Sequence, residues 1–149
     1  MGTNVKIICQ NKRARFDYFI EDTYECGIVL SGTEIKSIRT GKVSITESFC
    51  YIKYDEMYID NMHISKYEQG NIFNHDPDRK RKLLLHKKEI LKITSLVSRD
   101  GYTIVPLDVH LSNGFAKVNI GIAKGKKLYD KRESIKERDV KRNLEKNNY

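Results

Sequence analysis

No apolar run in this chain of 149 residues approaches the roughly 20 that span a bilayer as a helix, so no helical membrane anchor is expected. The N-terminal stretch MGTNVKIICQNKRAR lacks the apolar core of a secretory leader, and the cytosol is the expected location. Cysteine is scarce: Cys9, Cys26 and Cys50 lie 17 and 24 residues apart. Without a C-x-x-C pair no zinc site is expected. The odd count and the missing leader speak against a disulfide framework. The three read as small buried or half-buried thiols. Among His63, His75, His86 and His110, no two are four residues apart. The motifs G-x-x-x-x-G-K-[ST], G-x-G-x-x-G and G-x-S-x-G are missing, so nucleotide-dependent and serine-hydrolase chemistry have no foothold. No internal repeat is found.

What the chain does have is charge, unevenly spread. Lys and Arg number 28 against 20 Asp and Glu, for a net +8. Residues 124–149, KGKKLYDKRESIKERDVKRNLEKNNY, hold ten basic and five acidic groups, and so +5 of that total. Their apolar positions, Leu128, Ile135, Val140 and Leu144, are too sparse for a packed seam. Helical pairs such as Glu137 with Lys141 add only about 0.2–0.5 kcal/mol each. The chain thus reads as a compact body, 1–123, followed by a basic tail, 124–149, that is disordered when free and ordered on a partner. A folded module that presents a cationic segment points to a polyanion.

The body alternates like β-structure. Residues 5–10 form a strand candidate that runs into Lys12, Arg13 and Arg15, interleaved with Phe16, Tyr18 and Phe19. Residues 24–30 follow, with Gly27 marking a bulge or a close backbone approach. Residues 31–41 carry helix punctuation: a Ser31/Glu34 capping box, Ile35 and Ile38 on one face, and Gly41 as the stop. Residues 49–64 read as a hairpin turning at Asp55-Glu56, and 65–82 as a polar loop ending in Arg79-Lys80-Arg81-Lys82. Residues 83–97 are spaced as a helix. Residues 103–111 alternate, with Val105, Leu107, Val109 and Leu111 on one side. Asn113-Gly114 is a hairpin turn leading to 115–123, with Val118, Ile120 and Ile122 inward. The sum is a mainly β fold: about six antiparallel strands in a small closed or nearly closed barrel, with two or three flanking helices.

Two kinds of chemistry compete in this pattern. His75-Asp76 is the sharpest catalytic suggestion, a metal-dependent nuclease, but no second half of a site lies near it, and His75-Asp76-Pro77 also reads as a turn. The basic clusters Lys12/Arg13/Arg15, Lys36/Arg39/Lys42 and Arg79–Lys82, with nine tyrosines, favour a binding surface for RNA. A generic single-strand RNA binder and a ribosome-binding factor with no RNA partner of its own remain open on these features alone.

Ordered blocks along the chain decide further. They run from Asn11-Lys12-Arg13-Ala14-Arg15 and Asp17-Tyr18-Phe19-Ile20-Glu21 to Gly32-Thr33-Glu34-Ile35-Lys36-Ser37-Ile38-Arg39. Asn61-Met62-His63-Ile64, Asn74-His75-Asp76-Pro77 and Arg81-Lys82-Leu83-Leu84-Leu85 follow. Ala123-Lys124-Gly125-Lys126-Lys127, Asp130-Lys131-Arg132 and Ile135-Lys136-Glu137-Arg138 complete the series. Together they resemble the small protein B (SmpB) family of bacterial tmRNA-binding proteins over nearly the whole chain. The resemblance implies an oligonucleotide-binding (OB) type of barrel with flanking helices and no enzymatic activity. No cofactor or metal is expected, and a monomer is expected although the sequence leaves oligomeric state open. The resemblance further implies binding to the tRNA-like domain of tmRNA and delivery to stalled ribosomes, the tail reaching the decoding centre and the empty mRNA path of the small subunit.

Carried over by position, the resemblance implies an RNA surface of Asn11, Arg13, Arg15, Glu25, Lys36, Arg39, Leu85 and Lys124. It implies a ribosome-binding tail that includes Gly125, Lys126, Lys127, Tyr129, Asp130, Lys131 and Arg132. The chain departs from many relatives at Cys26, where a small residue such as Ala is common, at Phe16, where His is common, and at Tyr129, which is His in some. A ring nitrogen is unavailable at 16 and 129, whereas stacking survives both changes. Glu25 has two readings: an acceptor for a base amino group or a 2′-hydroxyl, or a salt bridge that orients a neighbouring Arg.

Overall fold

The computed structural model describes residues 5–68, 74–127 and 132. The elements in chain order are β1 Val5–Gln10, α1 Ala14–Asp17, β2 Tyr18–Ile28, α2 Gly32–Arg39, β3 Val43–Ser44 and β4 Phe49–Lys53. There follow β5 Glu56–Asp60, β6 His63–Ile64, β7 Arg81–Leu84, α3 Lys87–Asp100, β8 Thr103–Ser112 and β9 Phe115–Gly125. Seven strands form one antiparallel sheet in the order β1-β8-β9-β2-β7-β5-β4, and β3 pairs with β6 in a small ribbon. The sheet does not close by hydrogen bonds, but it curls until β4 comes back against β8. The result is the expected mainly β, barrel-like body with flanking helices, built from nine described strands rather than about six.

The interior holds Cys26, Ile38, Ile45, Met57, Ile59, Ile64, Leu83, Ile93, Val109, Val118, Ile120 and Ile122. Alternation along β9 sends Val118, Ile120 and Ile122 inward, as the sequence predicts. Helix α3 contributes Ile90 and Ile93 and ends at Gly101, which takes the left-handed conformation. Helix α2 contributes Ile38. Each such side chain, once buried, contributes about 1.5–3 kcal/mol.

Three expectations need correction. The alternation read along 103–111 does not hold to its end, because the register shifts between Pro106 and Asp108. This β-bulge changes the face. Val105 and Leu107 therefore pack outside the barrel with Ala14, Tyr18, Ile20 and Ala123, under α1, while Val109 and Leu111 belong to the interior. The helix expected from 83 starts only at Lys87. Leu83 and Leu84 are instead strand residues, with Leu83 paired to Met57 on one side and Ile28 on the other. The hairpin turn falls at Tyr54-Asp55, both at positive φ (52° and 60°), one residue earlier than read. At Gly27 the close approach is real: a Cβ there would lie 3.3 Å from Leu84 Cβ, and no register shift occurs.

Candidate nucleic-acid interface

The outer face of β1, β8, β9 and β2 carries a polar row. Gln10 pairs with Asp108, Asp108 with Asn119, and Asn119 with Glu25, so four side chains line up across four strands. Asn119 Nδ2 donates to both carboxylate oxygens of Asp108, at 3.3 and 3.0 Å. His110, almost fully buried, sits between two carboxylates: Nδ1 is 2.8 Å from Asp108 Oδ1 and Nε2 is 2.8 Å from Glu25 Oε2. Glu25 itself is about half exposed, with 51% of its side chain accessible. One carboxylate oxygen is thereby fixed while the group as a whole faces solvent.

Beside this row, the turn into α1 brings up Asn11 and Arg15. Asn11 Nδ2 donates to the Pro106 carbonyl at 3.0 Å and its backbone N–H to the Leu107 carbonyl at 2.7 Å, so the bulge anchors the loop. A recess of about 510 Å³ opens there, lined by Gln10, Asn11, Lys12, Arg15, Asp108 and Asn119 among others. Its lining offers both acceptors and cations, a complement to a base with N–H groups on a phosphate chain. Arg13 points away from the recess, over the Phe16 ring at 5.2 Å, with Asp17 at 3.4 Å. The ring at position 16 therefore already stacks a cation without a nitrogen of its own.

The other expected RNA residues lie elsewhere on the body. Lys36 and Arg39 are exposed on α2. Lys36 Nζ lies 5.4 Å from the Tyr67 ring centre, and Arg39 Nη2 donates to the Gly114 carbonyl at 3.4 Å, beside the β8–β9 turn. Leu85, directly after β7, is half-buried against the interior. Lys124 sits opposite Phe19 in the ladder, its Nζ 4.6 Å from the Tyr102 ring centre. The structure therefore gathers Asn11, Arg15 and Glu25 on one face and leaves Lys36 and Arg39 together on α2 and Lys124 near the end of β9, none of them lining the recess. Of the tail residues, Gly125 ends β9, Lys126 and Lys127 follow it, and Arg132 is exposed. Tyr129, Asp130 and Lys131 lie outside the described residues.

Two groups that composition had marked for function prove to be structural. Arg81, from the basic run, is wholly buried. Its Nε donates to Glu34 Oε2, its Nη1 donates to the Met62 carbonyl at 2.6 Å, and Arg79 Nη2 reaches Glu34 Oε1 at 2.6 Å. Burial pushes the Glu34 carboxyl up, but hydrogen bonds from Arg79, the Ser31 amide and Arg81 outweigh it and hold the group below its ordinary value. His75 is likewise buried: Nε2 donates to the Ile64 carbonyl at 2.8 Å and Nδ1 meets the Thr33 hydroxyl at 2.9 Å. It ties the loop to α2 rather than facing a cleft. Sequence reasoning missed the roles of His110, Asp108 and Asn119. Their signal was available in the strand spacing, had the bulge been foreseen. The buried thiols stay protonated, burial lifting Cys26 to about 12 and Cys50 further.

A curled antiparallel sheet with a polar outer row, a recess and flanking cations has the character of an RNA-binding module. The SmpB protein family model matches residues 8–148. The SsrA-binding protein of Bacillus subtilis (strain 168) is 59% identical over 140 residues, covering 94% of this chain and 90% of the relative. That of Geobacillus kaustophilus (strain HTA426) is 58% identical over the same length and shares. A chain solved under the heading "tmRNA-SmpB: a journey to the center of the bacterial ribosome" superposes with a TM-score of 0.67 at 47% identity, covering 85% of this chain and 93% of its own. The chain belongs to the SmpB family.

Proposed function

We propose that this protein binds the tRNA-like domain of tmRNA through its barrel and delivers it to stalled ribosomes for trans-translation, acting as an RNA-binding factor and not as an enzyme. The observation that carries this reading is the near full-length kinship with SsrA-binding proteins, at 59% identity over 94% of the chain. The polar row with its recess supplies a physical basis. Arg13, Arg15, Lys36, Arg39 and Lys124 neutralise phosphates and release counterions. Asn11 and Glu25 offer acceptors to base edges and 2′-hydroxyls, and Leu85 adds apolar contact. Residues 125–132 begin the arm that meets the small subunit, where a channel vacated by mRNA has room for a cationic segment. The protein works as a monomer in the cytosol; none of the described helices is long and apolar enough to cross a membrane.

A competition gel shift tests this reading. Labelled tmRNA is displaced by unlabelled tmRNA, by elongator tRNA and by single-stranded RNA of equal length. Displacement by tmRNA at far lower concentration than by single-stranded RNA is expected. Equal displacement by all three would replace this reading with that of a generic RNA binder.

A further inference from the structure

The last turn of the sheet before the tail is held in a specific way. Lys124 lies next to the end of β9, and Lys126, two residues on, follows the strand directly. Phe19 stands directly opposite Lys124 across the ladder, and Tyr18 opposite Gly125. One further backbone hydrogen bond, from the Lys126 N–H to the Asp17 carbonyl at 2.7 Å, extends the pairing past the strand end. The Lys126 ammonium then lies 5.0 Å from the centre of the Phe19 ring, and the Lys124 ammonium 4.6 Å from that of Tyr102. Tyr102 is held in turn by its hydroxyl, which donates to Glu21. Glu21 lies at the β2 register shift between Ile20 and Asp22. Two rings, Phe19 on β2 and Tyr102 just before β8, thus seat two cations from the end of β9, the strand between them.

Phe19 is otherwise hard to explain. It is 48% exposed, belongs to neither apolar cluster, and does not line the recess at Asn11 and Arg15. A large apolar ring left in solvent beside the exit of a cationic arm has one evident use there, to hold a cation.

We infer that Phe19 is a positioning residue for ribosome rescue: with the Asp17 carbonyl it seats Lys126 and so fixes the place and direction in which the tail leaves the barrel. The seat also joins the two halves of the molecule. Asp17 ends α1, the short helix that carries Arg15 and has Arg13 at its N-cap, so whatever RNA contact orients α1 also orients the root of the arm. A tail aimed correctly by the bound tmRNA engages its channel more often per encounter than one that pivots freely at residue 125.

This inference rests on the tmRNA reading, and the test keeps the two apart. Phe19→Ala, Phe19→Leu and Phe19→Tyr are compared with the parent protein in three measurements: affinity for tmRNA, hydrogen exchange of the Lys126 amide, and the rate of peptide tagging on stalled ribosomes at saturating tmRNA. Ala and Leu are expected to leave tmRNA affinity within about twofold and to speed exchange at Lys126. They should slow tagging about threefold to fivefold, the factor that an exposed cation–π contact can supply. Tyr, which keeps the ring, is expected to restore both. Leu preserves apolar bulk, so the Leu–Tyr pair carries the test if Ala does not fold. Tagging by Leu at the parent rate would overturn the seat, and so would a loss of tmRNA affinity as large as the loss of tagging, which would make Phe19 an RNA contact. Failure of the parent protein itself to bind tmRNA would instead remove the functional reading.

Discussion

Glu34 and Arg81 are both fully buried and are joined as an ion pair between α2 and β7. The pair links the helix whose outer face presents Lys36 and Arg39 to the strand that feeds Leu85. Removing one member leaves a buried charge without its partner, which costs about 3–5 kcal/mol. Arg81→Met is therefore expected to lower the free energy of unfolding by about 3 kcal/mol or more in urea titrations, whereas Arg79→Met, at a partly exposed side chain, should cost much less. Equal losses for the two would contradict the division of roles.

Glu34 also gives stability a defined acid limb. Its folded-state carboxyl lies below the ordinary value because the Arg79, Ser31 and Arg81 hydrogen bonds outweigh its burial. A depressed carboxyl contributes stability that is fully present above its unfolded value, near 4.5, and is lost as pH falls through the folded one. The stability difference between the parent and Glu34→Gln should thus be constant from neutral pH down to about 5 and shrink below that. A difference that grows as pH falls would show that the sign is wrong.

Legibility from sequence varied with how local the signal was. The Ser31 amide bonds the Glu34 carboxylate at 2.8 Å, as the capping box requires, and Asn113-Gly114 turns with both residues at positive φ. Both are short-range signatures and were readable. The bulge at Leu107 was not, because a register shift is decided by the partner strand and by the packing of α1 on the outer face. The same limit hid Arg81. A run of four basic residues looks solvated until Arg81–Leu84 is recognised as a strand, whereupon alternation places Arg81 on the side of Leu83. Of the site, the loop at Asn11–Arg15 was legible as a basic and aromatic cluster. The partner of Glu25 was not: it is His110, 85 positions away, and not an arginine.

Phosphate contacts reveal themselves in salt dependence. Arg13→Ala, Arg15→Ala and Lys36→Ala should each weaken tmRNA binding and reduce the slope of log K against log salt by about one unit. Gel shifts between low and moderate salt measure this. An unchanged slope for any one of them removes that residue from the phosphate contacts.

Glu25 and His110 separate contact from scaffold. Glu25, half exposed, is expected to accept a hydrogen bond from RNA, so Glu25→Ala should reduce tmRNA affinity about tenfold or more, while the lost bond to buried His110 lowers the melting temperature less than His110→Ala does. His110, at 2% exposure, should behave in the opposite way when changed to Ala, losing stability first. A Glu25 variant that binds tmRNA normally but melts early would assign it to the scaffold alone.

The division of labour between barrel and arm is tested most directly by cutting the chain after Lys127, beyond the last described pairing of β9 with Asp17. Truncated and full-length proteins are compared in tmRNA affinity and in peptide tagging on ribosomes stalled without a stop codon. The account predicts affinity within about tenfold, the limit set by losing a few screened cationic contacts, and no detectable tagging. Tagging by the truncated chain, or a collapse of tmRNA binding that matches the loss of tagging, would contradict it.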